Sequence, residues 1–124
     1  MEFKELKKII EEMKEDKRKK IVEGKRDKQA LNKLGIKQVQ TIKTKPLRQI
    51  TGKEKDKEVI LLTDFDKTGK SRSKKLIKLY KAEGIKTDLK YKKRLGKLHG
   101  ISEIEELPSK YKELKNKNRG AKNG

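Results

Sequence analysis

The sequence contains no cysteine and no tryptophan, and aromatic residues make up only 4% of its 124 residues. Without cysteine the chain has no disulfide, no zinc–thiolate site and no thiol nucleophile. No apolar run approaches the roughly 18 residues that cross a membrane, and no secretory signal is evident. We therefore expect a soluble, cytoplasmic protein. The scarcity of aromatic residues also argues against a surface on which nucleic-acid bases stack.

Negative charge is scarce relative to positive charge. Lys and Arg total 38 and Asp and Glu total 19, which gives a formal net charge of +19. An excess of this size indicates a polyanionic partner, with nucleic acid first and an acidic membrane surface second. The membrane is the weaker candidate, because no basic amphipathic stretch carries an aromatic face. The abundance of both Lys and Glu is typical of proteins that work at high temperature.

Apolar residues make up 30% of the chain, which is enough for one domain with a compact core. An apolar stripe from Phe3 to Met13 predicts an amphipathic helix within residues 1–19. We expect this helix to pack on a sheet edge or on a second subunit, which leaves a homodimer open.

Short apolar segments then alternate with helical segments, and this alternation predicts an α/β fold with a mainly parallel, four-stranded sheet. The predicted strands cover residues 21–22, 38–42, 58–63 and 85–91. The predicted helices cover 27–34, 46–50 and a segment that begins at a cap on Ser71 or Ser73 and ends at Glu83.

The most informative stretch runs from Val59 to Thr63 and continues into Asp64, Phe65 and Asp66. A short apolar run closed by polar residues is typical of a strand buried on both faces. Because successive side chains of a strand alternate, Asp64 and Asp66 are expected on the same side. Two carboxylates at the carboxyl end of a parallel strand favour a hard cation. The stretch therefore predicts a Mg2+ site, with Mn2+ as an alternative.

A third acid, Glu23, closes the first predicted strand. The three carboxylates can share a metal only if the first and third strands are neighbours. This requirement predicts a sheet order of 2-1-3-4, with the site between those two strands. Glu23 then either binds a second metal ion or acts as general acid or base at a phosphodiester.

Basic residues and glycines flank these acids. The basic side chains expected to bind the nucleic-acid backbone are Lys25, Arg26, Lys67, Lys70 and Arg72. Gly24 permits a tight turn after Glu23, and Gly69 lets the chain approach a phosphate closely. A P-loop is excluded, because its first glycine would fall on Asp64.

Two segments resemble the paired signatures of the Toprim domain, which topoisomerases, bacterial-type primases and some nucleases share. They are Glu-Gly-Lys-Arg-Asp at 23–27 and Thr-Asp-Phe-Asp-Lys-Thr-Gly at 63–69. The nearest resemblance is to small Toprim proteins related to the nuclease that matures 5S ribosomal RNA. Thr68 stands where topoisomerases have a further acid, so the pattern looks like the primase or nuclease type.

The resemblance implies one compact, three-layer, Rossmann-like Toprim domain over residues 20–108. The Lys-, Asn- and Gly-rich composition of residues 109–124 predicts a basic, partly disordered tail. The resemblance also implies that Glu23 is the catalytic acid or base and that Asp64 and Asp66 bind Mg2+. The predicted function is Mg2+-dependent cleavage of structured RNA, as in ribosomal RNA maturation. Two alternatives stay open: a DNA-directed activity in repair or priming, and a nucleic-acid-binding module without catalysis.

The C-terminal part of the sequence is less informative. His99 is interpreted as a turn residue before Gly100, with a nucleic-acid contact or a proton shuttle as alternatives. Ser102 and Glu105 predict a capping box for a short helix over 101–107, which Pro108 ends.

Overall fold

The computed structural model describes residues 2–43, 45–64 and 67–123, and it describes side-chain surroundings for these residues except 67–69 and 119–123. Helices and parallel strands alternate along the chain, as the sequence predicts. The helices are α1 Glu2–Glu15, α2 Lys25–Lys33, α3 Leu47–Gly52, α4 Lys67–Ala82, α5 Lys90–Gly96 and α6 Leu107–Asn123, with a 3₁₀ turn at Ile104–Glu106. The strands are β1 Lys20–Val22, β2 Val39–Thr41, β3 Glu58–Leu61 and β4 Lys86–Asp88.

The strands form one sheet in the order β2-β1-β3-β4, and each pair is parallel. The predicted order is therefore confirmed. Lys20 is paired with Val39 on one side and with Ile60 on the other. This register brings the carboxyl ends of β1 and β3 to the same edge of the sheet, which is where ligands bind in folds of this class.

Alternating side chains of the strands supply two hydrophobic cores, one on each face of the sheet. Ile21 and Leu61 pack with α3 and α4, whereas Val22 and Ile60 pack on the other face with α1, α5 and α6. The result is the three-layer α/β arrangement that the sequence predicts.

The apolar stripe of α1 lies in the larger of these cores. Leu6, Ile9 and Met13 have no exposed surface, and Ile10 is buried beside them. The stripe is therefore covered by the chain itself, not by a sheet edge or a second subunit. The observation that left a homodimer open no longer supports one.

Arg18 connects three segments of the chain: the segment before β1, the start of β3 and the end of β4. Its guanidinium donates hydrogen bonds to Asp16 at 2.7 and 2.9 Å, to Glu58 at 2.8 Å and to Asp88 at 2.9 Å. The hydroxyl of Tyr91 also donates to Asp16, at 2.8 Å. The network holds the start of β3 and the end of β4 against the segment between α1 and β1.

The fourth strand is shorter than predicted. The sequence analysis extended it from Ile85 to Tyr91, but the strand ends at Asp88 and α5 begins at Lys90. Tyr91 and Leu95 are both buried. Because residues four apart lie on the same face of a helix, this pair packs the turns of α5 onto the core, which a strand would not allow.

The predicted cap of α4 is also wrong. The helix begins at Lys67, several residues before Ser71 and Ser73. Ser73 is a buried residue in the second turn of α4, and its hydroxyl lies 2.9 Å from the hydroxyl of Thr63. The serine therefore attaches α4 to the end of β3 and does not cap the helix.

The C-terminal segment differs from its prediction in two ways. The hydroxyl of Ser102 donates to Glu106 at 2.7 Å, so the predicted capping box with Glu105 does not form. Pro108 does not end a helix but lies in the first turn of α6, where proline is tolerated. Tyr111 packs against Phe3 of α1. Among the described helices, none is long and apolar enough to cross a membrane.

Candidate functional site

An open groove of about 710 Å³ lies at the carboxyl edge of the sheet. Its walls come from the segments that follow β1, β2 and β3 and from the 3₁₀ turn. The acidic residues that line it are Glu23, Asp27, Asp64, Glu103 and Glu105. The basic residues that line it are Lys25, Arg26, Lys43 and Arg72. We call it the acidic groove.

The sheet register explains how Glu23 and Asp64 reach the same groove. Ile21 is paired with Leu61, and the N–H of Leu62 donates to the carbonyl of Ile21 at 2.8 Å. Two residues further on, Glu23 is level with Thr63. Glu23 and Asp64 therefore leave neighbouring strands at nearly the same height, and both are half-buried.

The 3₁₀ turn holds the carboxylate of Asp64. The backbone N–H of Ile104 donates to Oδ1 of Asp64 at 3.2 Å. Ile104 is completely buried in the core, so this donor has a fixed position. The C-terminal part of the chain thus orients an acid that belongs to the central strand.

Asp27 is a buried acid whose place in the site the sequence analysis did not predict. It is 7% exposed, and its Oδ2 accepts a hydrogen bond from the N–H of Gly24 at 3.1 Å. Burial raises the pKa of the Asp27 carboxyl, and the negative charges of Asp64 and Glu105 raise it further. The groove is therefore a place where negative charge accumulates and where a cation is favoured.

Glu103 and Glu105 extend this negative charge. A hydrogen bond with Glu105, followed by the charge of Glu105, raises the pKa of Glu103 to about 7. Their signal in the sequence is an acidic run at 103–106 within a strongly basic chain, which the capping-box interpretation overlooked.

The predicted basic residues are distributed over more than one surface. Lys25, Arg26 and Arg72 line the acidic groove, whereas Lys70 lies in a separate groove between α4 and α5. Lys67 and Gly69 are in the first turn of α4, but their side-chain surroundings lie outside the described part of the chain, and Asp66 lies outside the described residues altogether.

Lys43 is a basic residue that the sequence analysis missed. It follows β2, which neighbours β1, and the edge rule that selected Glu23 therefore also applies to Lys43. Its Cδ lies 3.7 Å from the position of a Cβ built on Gly24. Gly24 has an extended conformation that any residue can adopt, with φ −142°, and the contact with Lys43 is an ordinary van der Waals distance, so neither the backbone nor the available space requires glycine at this position.

Lys43 and Arg72 also line a second, basic cavity of about 710 Å³ between the β2–α3 loop and α4. Lys45 and Lys75 complete its charged wall, and no acid lines it among the described residues. The acidic groove thus continues directly into a surface suited to phosphate.

A cluster of hydroxyls and one amine lies beneath Asp64. The Nζ of Lys92 donates to the hydroxyl of Thr63 at 2.9 Å and to the hydroxyl of Ser73 at 3.2 Å. Thr63 and Ser73 are both buried. These bonds fix the segment before Asp64 against α4 and α5. The side chain of His99, by contrast, is exposed, and its backbone N–H donates to Glu2 at 2.9 Å.

The carboxylates of the acidic groove have the donor chemistry that Mg2+ prefers. Within the described ranges, no group of three or more acids or histidines lies close enough together to form a complete ligand set. Glu23 and Asp64 are the acids that leave adjacent strands at the same edge, and their charges favour a cation beside them. Burial is the main cause of the raised pKa of Asp27, and the negative charges of Asp64 and Glu105 add to it; a cation would offset the part that comes from these charges.

The sequence model of the Toprim domain family matches residues 20–89. This match covers more than half of the chain and includes the acids that follow β1 and β3. The chain belongs to the Toprim family. A UPF0292 protein of Methanocaldococcus jannaschii is 39% identical over 113 residues, which cover 85% of this chain and 88% of that protein. A UPF0292 protein of Thermococcus kodakarensis is 33% identical and covers 88% of this chain and 85% of its own length.

A solved structure from Aquifex aeolicus has the same fold. It is 33% identical in sequence, covers 82% of this chain and 96% of its own chain, and superposes with a TM-score of 0.76. Membership of the Toprim family indicates a metal-dependent function that involves nucleic acid.

Proposed function

We propose that this Toprim protein is a Mg2+-dependent nuclease that cleaves phosphodiester bonds in structured RNA. The observation that carries the proposal is the acidic groove, in which Glu23 and Asp64 leave neighbouring parallel strands beside a wall of basic residues. An acidic centre with a basic border matches a phosphodiester, because the centre can hold a cation while the border binds the backbone.

Glu23 is the proposed general base and acid. Its carboxylate accepts a proton from the attacking water, and the same group returns a proton to the leaving oxygen. Asp64, together with Asp66, is proposed to bind Mg2+, and Glu23 is proposed to exchange the proton and not to bind this metal. When bound, the metal neutralises charge on the phosphate and stabilises the leaving oxygen.

Arg72 and Lys43 are proposed to hold the phosphate next to the scissile bond. Both line the acidic groove and the basic cavity, so one backbone can contact them while it crosses from one to the other. Arginine suits this position, because its planar group binds phosphate oxygens in pairs. Lys25 and Arg26 are exposed and line the same groove, where they are proposed to contact the backbone as well.

RNA is the proposed substrate because the two acidic signatures most resemble those of the nuclease that matures 5S ribosomal RNA. The net charge of +19 supports a polyanion of this kind. Duplex and single-stranded DNA are the substrates against which RNA is to be compared.

A substrate panel tests the proposal. Precursor ribosomal RNA, an unrelated hairpin RNA, single-stranded DNA and duplex DNA are each incubated with the protein in Mg2+ or in EDTA, and the products are resolved on sequencing gels. We expect products from the structured RNAs in Mg2+ only. If only the DNA molecules are cleaved, DNA and not RNA is the substrate. Tight binding without products from any of the four molecules would contradict the nuclease proposal.

A further inference from the structure

A third charged cavity, a groove of about 750 Å³, lies between α4 and α5. Lysines dominate its lining, and we call it the lysine groove: Lys70, Lys74, Lys92, Lys93 and Lys97. No acidic residue lines it within the described part of the chain, which separates it clearly from the acidic groove. Five ammonium groups around one depression repel one another and are stabilised by a polyanion.

The floor of the lysine groove is apolar. Ile77 and Leu89 form it, both half-buried. A duplex presents phosphates to a protein surface but keeps its bases inside. An unpaired strand presents phosphates together with base faces, so it can use both the lysines and the apolar floor.

The lysine groove begins next to the proposed catalytic site. Lys92, at its inner end, donates to the hydroxyl of Thr63, the residue directly before Asp64. From Lys70 to Ile77 the groove follows α4 over about 10 Å, since each helical residue advances the chain by about 1.5 Å. Because Thr63 is buried and the two grooves share no lining residue within the described part of the chain, the lysine groove is a neighbouring surface and not a continuation of the acidic groove.

We propose that the lysine groove binds an unpaired RNA strand that extends from the structured part of the substrate. The proposal rests on the nuclease function above for the identity of the polyanion. It narrows the substrate class to a folded RNA with a single-stranded extension, in which the lysines bind phosphates and the apolar floor contacts a base.

Binding measured in EDTA tests this inference apart from catalysis. A fluorescent hairpin RNA with a single-stranded extension is compared with the same hairpin without it, by anisotropy. The groove variant is Lys93→Glu/Lys97→Glu, which changes one exposed residue of α5 and the exposed residue that directly follows the helix. The matched control is Lys4→Glu/Lys7→Glu, two exposed residues of α1 that change the net charge equally. Circular dichroism checks that each variant is folded. If the charge-reversed variant is not folded, the milder Lys93→Gln/Lys97→Gln takes its place.

We expect the wild type to bind the extended hairpin at least about fivefold more tightly than the blunt one, because the extension adds phosphate contacts. This preference should disappear in both groove variants and persist in the α1 control. An equal loss in the groove and control variants, or no preference in the wild type, would overturn the proposal. If the preference follows the groove but Mg2+ yields no cleavage, the nuclease function fails while the lysine groove stands.

Discussion

Asp27 and Asp64 follow different strands of the sheet, yet they lie close enough to repel each other. Burial raises the pKa of Asp27, and the charge of Asp64 raises it next. Asp27 also lies in the first turn of α2, where a helix dipole favours a negative charge. The net shift is nevertheless upward, so burial and repulsion outweigh the dipole and the hydrogen bond from Gly24. The electrostatic repulsion among these acids therefore opposes the folded arrangement of the acidic groove.

Asp27→Asn should stabilise the metal-free protein. An acid whose pKa is raised on folding costs stability as the pH rises through that pKa, and asparagine removes the charge but keeps an acceptor for the N–H of Gly24. We expect a gain of about 1 kcal/mol in urea unfolding at pH 7.5 in EDTA, and a smaller gain below the ordinary Asp pKa of about 3.9. Asp56→Asn, at an exposed loop residue, is the control. A loss of stability in Asp27→Asn would show that the ionised carboxylate is favourable in the apo protein.

Asp64→Asn should weaken Mg2+ binding. The substitution removes the negative charge of one proposed ligand, while the amide oxygen can still accept the hydrogen bond from Ile104. We expect at least a tenfold loss of affinity, about the effect of disturbing a metal site, measured by isothermal titration calorimetry. Asp56→Asn again serves as the charge-matched control. An unchanged Mg2+ titration would remove Asp64 from the metal site.

Lys43→Gln/Arg72→Gln should weaken RNA binding and flatten its salt dependence. Both residues line the two cavities through which the backbone is proposed to pass. Loss of two phosphate contacts should reduce the slope of log affinity against log salt by about 1.4 to 1.8. The control Lys53→Gln/Lys57→Gln changes two exposed lysines in the loop before β3, away from the carboxyl edge. Equal slopes in the two variants would mean that the cavities do not direct the RNA.

The strand order was predicted from the sequence, because Glu23 and Asp64 can share a site only if β1 and β3 are neighbours, as they are in the order 2-1-3-4. Glycines at 35 and 84 end α2 and α4 with φ of 83° and 75°, so those helix ends were also readable. These features depend on local patterns and on one topological rule.

Other features depend on contacts between distant segments, which no local pattern reveals. Asp27 became part of the site only because the 3₁₀ turn and β3 bring Glu105 and Asp64 beside it. Tyr91 was assigned to a strand because its helical partner, Leu95, lies within a run of basic residues that hides the spacing. Lys43 lines the acidic groove because it follows β2, the neighbour of β1. The rule that residues after parallel strands meet at one edge of the sheet was used to place the acids, but it was not used to place the basic residues.

Arg18→Met should destabilise the protein at neutral pH and less so in acid. Its guanidinium holds the pKa of Asp16 below its usual range, through hydrogen bonds that outweigh the opposing effect of burial. Burial is also the largest effect on Asp88, but the hydrogen bonds from Lys90 and Arg18 outweigh it and lower that pKa too. Lowered acid pKa values give stability that is present above the unfolded pKa and lost as the pH falls. We expect a loss of about 2 kcal/mol at pH 7, measured by urea unfolding.

Two further unfolding measurements distinguish the hydrogen bonds of Arg18 from a general effect of removing one positive charge. One compares wild type and Arg18→Met at pH 3, and the other uses Lys17→Met as a control. Lys17 is exposed and next to Arg18, so its substitution should change stability by less than about 0.5 kcal/mol. The gap between Arg18→Met and wild type should narrow at pH 3. A gap that stays constant with pH would mean that Arg18 stabilises the protein by packing and not through its acids.

The most direct test of the account is single-turnover cleavage of a structured RNA by wild type and Glu23→Gln, with RNA binding measured on the same samples. Glutamine fills the same space at the end of β1 but cannot exchange the proton. We expect Mg2+-dependent cleavage to fall at least about a hundredfold, while the dissociation constant for RNA changes little. Cleavage at the wild-type rate by Glu23→Gln, or loss of binding together with cleavage, would contradict the assignment of Glu23 as the catalytic acid and base.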